Sequence, residues 1–276
     1  TEYTNGVAAI TGAATTITIP YNAPESLYYY CTAHSGMGSS ITGITTNEKL
    51  ADQYASNCTF ALPLVGSDRD VSASIACTMS TSAITNSGVD FVTSYSNFYS
   101  GSADYTGATT DVLTATDDYK FKMKTGDFTV ECWVYSTSTS GTQNIFQVFV
   151  GSATNYYGVY YSSTLRFQIA GSGGVEVDVG DIVMGTNKWT HIAMVRDGGT
   201  LRAFVDGVQV GSGSVTANIN DSNYIVHVGR HQPSNNGFTG YMQDFRIYKG
   251  VAKYTSNFIP ASTNPDILPD TPSGVS

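Results

Sequence analysis

The sequence predicts an all-β protein built as an antiparallel sandwich, and three observations carry this prediction. Short runs rich in Thr, Val, Tyr and Ile recur along the chain, separated by turns that contain Gly, Asn and Ser. Helical periodicity is nearly absent, and only residues 48–54 are compatible with a helical turn. No long helical crossover separates consecutive strands, which favours antiparallel pairing.

The composition agrees with a hydroxyl-rich β surface and excludes several functional classes. Only 13% of the 276 residues are charged, whereas 12% are aromatic and 19 are Tyr. The net charge is -9 with 13 Lys and Arg residues, so the clustered basic surface that nucleic acids and anionic membranes require is absent. No apolar run is long enough to cross a bilayer. We therefore expect neither nucleic-acid binding nor membrane insertion.

The chain divides into four predicted parts. These are a short β segment at 1–40, a connector at 41–54, the sandwich at 55–260, and an extended Pro-containing tail at 261–276. Within the first part, β-rich runs predict strands at 16–20 and 27–31.

The dipeptide Asp206-Gly207 gives the strongest local signal. It lies between two β-rich runs, where this pair is preferred in two-residue type I′ hairpin turns. Such a turn predicts two cross-strand pairs, Val205 with Val208 and Ala203 with Val210. The residues assigned to the core face are Leu201, Ala203, Val205, Val208 and Val210, and those assigned to the opposite face are Phe204 and Gln209.

Alternation predicts the faces of two further strands. In residues 128–135, Cys132 shares a face with Phe128, Val130 and Val134, so it is expected to be a small buried hydrophobic residue. In residues 240–248, one face holds Tyr241, Phe245 and Ile247, and the other holds Met242, Asp244 and Arg246. Asp244 and Arg246 are then placed to interact.

The four cysteines form no zinc-binding pattern. Cys58 and Cys77 flank a strand-turn-strand region and can bridge, although buried free thiols are expected for most of the four. His191 alternates with Ala193 and Val195, so it is expected to be a packed strand residue rather than a catalytic base.

Several motifs follow one another in a specific order. Phe128–Tyr135 is followed by Trp189-Thr-His-Ile-Ala193, by Val205-Asp206-Gly207, and by Gly240-x-x-x-Asp244-x-Arg246-Ile-Tyr248. In this order and spacing, residues 55–260 resemble laminin-G and concanavalin-A-like jelly-roll domains. The resemblance implies an antiparallel jelly-roll sandwich that holds glycans or partner proteins at its loops and edges, since only a minority of these relatives are enzymes.

The segment at 238–254 is also similar to modules common in structural proteins of tailed bacteriophages. This second resemblance implies a non-enzymatic structural protein that is located on the virion, at its surface, tail or tail fibre. Its expected partners are host-surface polysaccharide, neighbouring virion or surface proteins, and further copies of itself in a homo-oligomer. The alternative is a bacterial secreted or cell-surface lectin-like adhesion module.

Residues 27–38 resemble the Cys-His-Met ligand loop of cupredoxins. Cys31, His34 and Met37 supply the thiolate, imidazole and thioether that a blue-copper site uses. Such a site also needs a second His from an earlier strand, and no His precedes His34. We therefore do not expect functional copper and interpret the loop as a retained hairpin or interaction surface.

Two loops carry the side chains that sugar recognition uses, namely aromatic rings for the C–H faces and amides for the hydroxyls. The candidate ligand-binding residues are Asn155, Tyr156, Tyr157, Tyr160, Gln232, Asn235 and Asn236. Tyr at alternate strand positions is also typical of an ordinary β surface or of a protein–protein contact, which is the competing interpretation.

Two further chemistries have candidate residues. Glu176 and Asp178 resemble part of the Glu-x-Asp-x-(x)-Glu strand of related glycoside hydrolases, in which a retaining pair lies about 5 Å apart. Asp181 stands where a Glu is needed, so a hydrolase is only the third functional candidate. Calcium bound at a sandwich loop has five candidate ligands, Asp104, Asp111, Asp117, Asp118 and Asp127.

Overall fold

The computed structural model describes residues 7–8, 16–17, 27–30, 38–41, 54–65, 82–97, 100–149, 155–171, 174–230 and 236–260. Almost all of the secondary structure in these residues is antiparallel β strand. The strands are β1 (Val7–Ala8), β2 (Thr16–Ile17), β3 (Leu27–Tyr30), β4 (Gly38–Ile41), β5 (Cys58–Leu62), β6 (Ile84–Ser87), β7 (Asp90–Val92), β8 (Ser102–Thr106), β9 (Val112–Thr116), β10 (Phe128–Ser136), β11 (Thr142–Phe149), β12 (Tyr156–Ser162), β13 (Thr164–Gly171), β14 (Gly174–Ile182), β15 (Trp189–Asp197), β16 (Thr200–Val205), β17 (Val208–Ser214), β18 (Ile225–Val228) and β19 (Thr239–Lys249). The helical elements are a 3-10 turn at Ala55–Asn57 and helix α1 at Asp118–Phe121.

Two large sheets form the sandwich. The seven-stranded front sheet has the order β14-β13-β12-β11-β18-β9-β6. In the eight-stranded back sheet, seven strands follow the order β17-β16-β15-β10-β19-β8-β7, and the eighth, β5, pairs with β19. One edge of the long strand β19 pairs first with β8 and then with β5. This architecture confirms the predicted jelly-roll sandwich.

Near the start of the chain, β1 pairs with β2 and β3 pairs with β4 in two separate two-stranded sheets. Cys31, His34 and Met37 lie between β3 and β4, outside the described residues. The cupredoxin-like loop and the division into four parts therefore remain predictions. Among the described residues, no helix is long and apolar enough to span a membrane.

The core lies between the inner faces of the two sheets, because alternate residues of each strand point into it. Phe146 of the front sheet meets Phe245 of the back sheet with ring centroids 5.4 Å apart. Phe60 packs edge-on against Phe121 of α1 at 5.2 Å. Cys132 lies in this core as a buried free thiol with Phe128, Val130 and Val134, as predicted, and burial raises its pKa. Cys58 is also buried, and its bridge to Cys77 stays a prediction because Cys77 is outside the described residues.

A β-bulge in β19 changes which of its side chains point into the core, so part of the predicted assignment of faces is wrong. The register against β10 shifts between Glu131 and Trp133, and Asp244 takes a positive φ of 57°. Because the bulge inserts one residue, Met242 and Phe245 both point into the core, and Tyr241 lies on the outer face. Asp244 and Arg246 do interact, with Oδ1 2.6 Å from the guanidinium.

The Asp206-Gly207 turn is confirmed, since both residues have positive φ and Val205 pairs with Val208. A second bulge sets Ala203 opposite Gly211 rather than the predicted Val210. Val208 is 53% exposed and not in the core, because it lies next to the turn at the end of the sheet. Phe204 points to the outer face, as predicted, but is fully buried there.

Residues 250–260, here called the C-terminal strap, cover part of the outer face of the back sheet. Tyr254 and Phe258 of the strap stack on each other and contact Phe204. Phe258 also donates its backbone N–H to Gly207 O at 2.9 Å. A Cβ at Gly207 would lie 2.0 Å from Phe258 O, so the glycine serves both the turn and this close approach.

Beneath the strap, Glu131 joins three segments in one buried cluster. Its carboxylate accepts hydrogen bonds from Lys253 Nζ at 2.6 Å and from Tyr254 Oη at 2.7 Å. His191 of β15 lies on its other side, with Nε2 3.6 Å away, and is the packed strand residue that the sequence predicts. Burial alone would raise the pKa of Glu131, but Lys253 and His191 together hold that pKa well below its ordinary value.

We predict that Glu131→Gln destabilises the protein by about 3–5 kcal/mol, because it removes the carboxylate that pairs with the buried Lys253 ammonium at 2.6 Å. Urea unfolding measures this change. Asp181→Asn is the matched control, since that side chain is 83% exposed and its loss should cost less than about 0.5 kcal/mol. Equal midpoints for the two variants would contradict the prediction.

The same experiment has a pH dependence with a defined sign. The depressed pKa means that the unfolded chain takes up the proton of Glu131 first as the pH falls. The contribution of the cluster is therefore fully present above the ordinary Glu pKa of about 4.3, and it is lost as the pH falls below that value. The stability difference between the parent and Glu131→Gln should narrow in this acidic range.

Candidate functional site

A row of polar residues crosses the outer face of the front sheet, with one residue from every strand. Successive cross-strand partners along this polar row are Thr85, Thr114, His227, Gln147, Gly158, Gln168 and Asp178. Strands lie about 4.8 Å apart, so the row spans roughly 29 Å. The neighbours of these residues along each strand point into the core, which fixes the row on the outer face.

Gly158 gives the row a position without a side chain near its centre. The register of β11 against β12 shifts between Asn144 and Phe146, which brings the β11 backbone close. A Cβ at Gly158 would lie 2.6 Å from Phe146 O, so a larger residue does not fit without a shift. Tyr156 and Tyr160, two residues to either side, flank this gap on the same face.

The hydroxyl groups of both tyrosines converge on Gln168 of the next strand. Tyr156 Oη donates to Gln168 Oε1 at 3.0 Å, and Gln168 Nε2 donates to Tyr160 Oη at 3.1 Å. Partial burial, followed by nearby groups that include Asp178, raises the pKa of both tyrosines. The hydroxyls therefore stay protonated at neutral pH, so that Tyr156 can donate to Gln168 while both oxygens keep lone pairs that accept.

Arg166 and Asp178 neutralise each other at the edge of the sheet. Arg166 Nε donates to Asp178 Oδ1 at 2.9 Å, and Arg166 Nη1 donates to Gly180 O at 2.7 Å. The other carboxylate oxygen of Asp178 accepts from Gln168 Nε2 at 3.0 Å. The hydrogen bond with Asp178 is the main cause of the raised pKa of Arg166. The network is thus ordered, half-exposed and without net charge.

The middle of the row, at His227 and Gln147, is more buried than its two ends. Gln147 and Asn144 are both nearly inaccessible, and in the described part of the chain Gln147 Oε1 and Asn144 Oδ1 have no hydrogen-bond partner. The accessible part of the row that carries aromatic side chains therefore lies on β12 to β14. We call this part the tyrosine patch; it consists of Tyr156, Tyr160, Arg166, Gln168 and Asp178.

The structure separates the predicted ligand-binding residues. Tyr156 and Tyr160 lie together on the outer face, whereas Tyr157 points into the core and donates its hydroxyl to Phe121 O at 3.0 Å. Tyr157 is therefore turned away from the face on which Tyr156 and Tyr160 lie, because adjacent strand residues point to opposite faces. Asn155 is buried and its amide nitrogen donates to Asp221.

The second predicted loop is only partly described. Gln232 and Asn235 lie outside the described residues. Asn236 is half-buried beside the Arg230–Gly237 bridge.

The aspartates proposed for calcium do not converge. Asp117 caps α1 by accepting from Lys120 N at 3.0 Å, and Asp118 accepts from Tyr224 N at 3.0 Å. Asp111 accepts two hydrogen bonds from Thr106, and Asp127 accepts from Gly198 N at 2.7 Å. Asp104 lies on β8 of the back sheet, whereas Asp111 lies directly before β9 of the front sheet. Within the described ranges, no group of three or more acidic, His or Cys side chains is placed to hold a metal ion.

The side chain of Glu176 lies outside the described part of the chain, so the carboxylate pair proposed for hydrolysis stays a prediction. The register of β14 shifts between Ile169 and Ala170, which makes Glu176 the extra residue of a bulge. Simple alternation therefore does not carry over from Glu176 to Asp178, and Asp178 is already engaged by Arg166.

The site residues predicted from the sequence did not include Arg166, Gln168, Gln147 or Gly158. The signal for the first two was present, since alternation of apolar Leu165, Phe167 and Ile169 places them on the opposite face. The cross-strand order that aligns them with Gly158 and Gln147 depends on register shifts that alternation does not reveal.

Comparison with protein families gives the class of the protein. The family model described as the concanavalin A-like lectin/glucanases superfamily matches residues 106–253, which is more than half of the chain. The chain therefore belongs to this superfamily. No curated protein sequence matches it.

Solved structures with this fold include binding domains of several proteins. The binding domain of Paraclostridial Mosquitocidal Protein 1 matches 73% of this chain with a TM-score of 0.57 and 15% identity. The binding domain of botulinum neurotoxin serotype G matches 71% with a TM-score of 0.54 and 14% identity. This chain spans about half of each toxin domain, 51% and 49% respectively.

A third similar structure is domain 4 of AbnA, an extracellular arabinanase from Geobacillus stearothermophilus. It matches 71% of this chain and 94% of its own length, with a TM-score of 0.54 and 15% identity. At these identities the likeness establishes the shared fold.

We predict that Gly158→Ala destabilises the protein by about 1–3 kcal/mol, because the new methyl group meets the backbone of β11. Thermal or urea unfolding measures the change. Gly199→Ala is the control, since its Cβ would have its nearest neighbour, Val215 O, at 3.7 Å. The prediction is contradicted if Gly158→Ala and Gly199→Ala both unfold at the same midpoint as the parent.

Proposed function

We propose that this protein is a non-enzymatic carbohydrate-binding module whose tyrosine patch, called the sugar-facing patch from here on, holds a neutral oligosaccharide. The observation that carries the proposal is the ordered network of Tyr156, Gln168 and Tyr160 beside Gly158. Two half-exposed rings offer faces for sugar C–H groups, and the remaining lone pairs of Gln168 Oε1 and of the tyrosine hydroxyls offer acceptors for sugar hydroxyls.

The charge of the patch supports a neutral rather than an acidic ligand. Arg166 is paired with Asp178, so the patch presents no free cation to a carboxylate or sulfate group. The chain as a whole carries a net charge of -9, which repels acidic glycans at long range. Hydroxyl-directed hydrogen bonds remain as the source of specificity.

The relationship to known proteins supports the same class of ligand. Domain 4 of the arabinanase was solved in complex with arabinotriose. The superfamily to which this chain belongs takes its name from lectins as well as glucanases. Arabinotriose is therefore a sensible first member of any panel of test sugars.

We predict that an array of neutral and acidic oligosaccharides, arabinotriose included, identifies a neutral ligand. Gln168→Ala and Tyr160→Ala should each weaken its binding about threefold to tenfold, because each removes hydrogen bonds or ring contact from the patch. Isothermal titration calorimetry with the identified sugar measures this effect.

Matched controls lie away from the patch. Gln209→Ala changes an amide of the back sheet, and Tyr119→Ala changes a tyrosine of α1 that is 61% exposed. Neither should alter the affinity. The proposal fails if no sugar binds, if only acidic sugars bind, or if the patch variants bind like the controls. Release of reducing ends from the bound sugar would instead favour the glycan-cleaving alternative.

We further propose a virion surface, tail or tail fibre as the biological setting, with a bacterial secreted or cell-surface adhesin as the alternative. The support is the similarity of residues 238–254 to phage structural modules. A repeated array would suit a weak site, since linked copies gain avidity of roughly 100-fold or more. Electron microscopy of the native material should show the chain as a homo-oligomer on a particle; a free monomer would contradict this setting.

A further inference from the structure

The outer face of the back sheet carries a second cross-strand row, which the proposed sugar site does not use. Its members, one from each of five adjacent strands, are Asp90, Asp104, Tyr241, Tyr135 and Trp189. Tyr95, from the loop after β7, stacks on Tyr241 with ring centroids 4.1 Å apart. We call the four aromatic residues of this region, Tyr95, Tyr135, Trp189 and Tyr241, the aromatic platform.

The rings of the platform form one contiguous and accessible surface. Tyr135 lies 5.4 Å from Tyr95 and 5.6 Å from Trp189 between ring centroids. Tyr95 is 39% exposed, and the other three rings are half-buried. The C-terminal strap packs on Phe204 and Ala193 instead, farther along the same face. Contiguous exposed tyrosine and tryptophan rings are typical of interaction sites.

Two carboxylates at one margin of the platform oppose each other. Asp90 and Asp104 are direct cross-strand partners, an arrangement of like charges that destabilises a sheet. No described cationic side chain lies within ion-pair distance of either carboxylate. Partial burial, then Asp90 and Asp111, raise the pKa of Asp104. A cation bound at this margin would relieve the repulsion.

We propose that the aromatic platform and its acidic margin form a docking surface for a basic segment of a partner protein. Arginine or lysine side chains of that segment lie over the rings of Tyr241 and Tyr135, and Asp90 and Asp104 neutralise their charge. This surface is on the opposite sheet from the sugar-facing patch and is independent of sugar binding.

Charge complementarity favours a cationic occupant over a second sugar. Aromatic faces attract cations through their quadrupoles, and a guanidinium group can stack on a ring while it binds a carboxylate. A neutral sugar would cover the rings but would leave the Asp90–Asp104 repulsion in place. The net charge of -9 also accelerates encounters with a basic partner.

The experiment uses the full chain and a fluorescein-labelled octapeptide of alternating arginine and glycine. The control peptide carries glutamine in place of arginine. Fluorescence anisotropy should show binding of the arginine peptide, weakening as salt is added. Asp104→Asn and Tyr241→Ala should each weaken it about threefold to tenfold. Asp181→Asn removes the same unit of charge from the front sheet and should change the affinity less than about twofold.

A second measurement separates loss of binding from loss of folding. Asp104→Asn relieves a like-charge contact, so its unfolding midpoint should equal or exceed that of the parent. The arginine peptide should also change the tryptophan fluorescence, and most of that change should disappear in Trp189→Phe, which leaves Trp133 as the remaining tryptophan. Equal binding of both peptides, or an equal effect of Asp181→Asn, would overturn the proposal. A neutral sugar that causes the Trp189 signal when the peptide does not would also overturn it and assign the platform to carbohydrate.

Discussion

The packing of the C-terminal strap on the outer face of the back sheet depends on the ion pair and hydrogen bonds of the buried Glu131 carboxylate. The first half of strand β10, around Thr129 and Glu131, is covered on both faces, by the core on one side and by the C-terminal strap on the other. A charge in that position is tolerable only with close partners, because desolvation of an unpaired carboxylate costs several kcal/mol. Lys253, Tyr254 and His191 supply those partners and so tie the strap and β15 to β10.

The position of the strap then decides which surfaces remain open. Phe258 reaches the Asp206-Gly207 turn, so the strap covers the β15–β16 part of the sheet. The region around Tyr241 of β19 and Tyr135 of β10 is not covered by the strap and is left accessible. On the front sheet, the pleat alone separates the apolar inner face from the polar row. One packed core therefore supports two outer surfaces with different chemistry.

Much of the fold could be predicted from the sequence because the informative features are local. The type I′ turn at Asp206-Gly207 needs only two residues with positive φ, and Cys132 needs only the alternation of its own strand. The order of the motifs likewise predicted the superfamily to which the chain belongs. In each case the prediction required no knowledge of which strand lies beside which.

Two of the errors, the facing of Met242 and the partner of Ala203, share one physical cause, which is the β-bulge. At Asp244 one inserted residue brings Met242 and Phe245 to the same face, and at Ala203 another moves the partner from Val210 to Gly211. A bulge depends on the partner strand, so single-strand alternation cannot reveal it.

The candidate site was predictable only in part, because it depends on which strands lie side by side. Tyr156 and Tyr160 carry a visible aromatic signal, but their link to Gln168 requires the cross-strand register. Tyr157 was predicted to contact a ligand, although alternation places it on the opposite face from its neighbour Tyr156. The aspartates were grouped by composition, whereas caps and turns use each of them separately.

The two proposed surfaces have a geometric relationship that bears on how such a protein works. Two packed sheets lie about 10 Å apart, so ligands on their outer faces are separated by the full thickness of the sandwich and do not compete. A basic segment docked at Tyr241 would hold the domain from behind, and the patch at Gln168 would face away from that attachment. Because the core between them is rigid, the orientation of the sugar-facing patch would be set by the docked face. An oligomeric carrier that repeats the basic segment would then present many patches in one direction, which is the arrangement that weak carbohydrate binding needs in order to gain avidity.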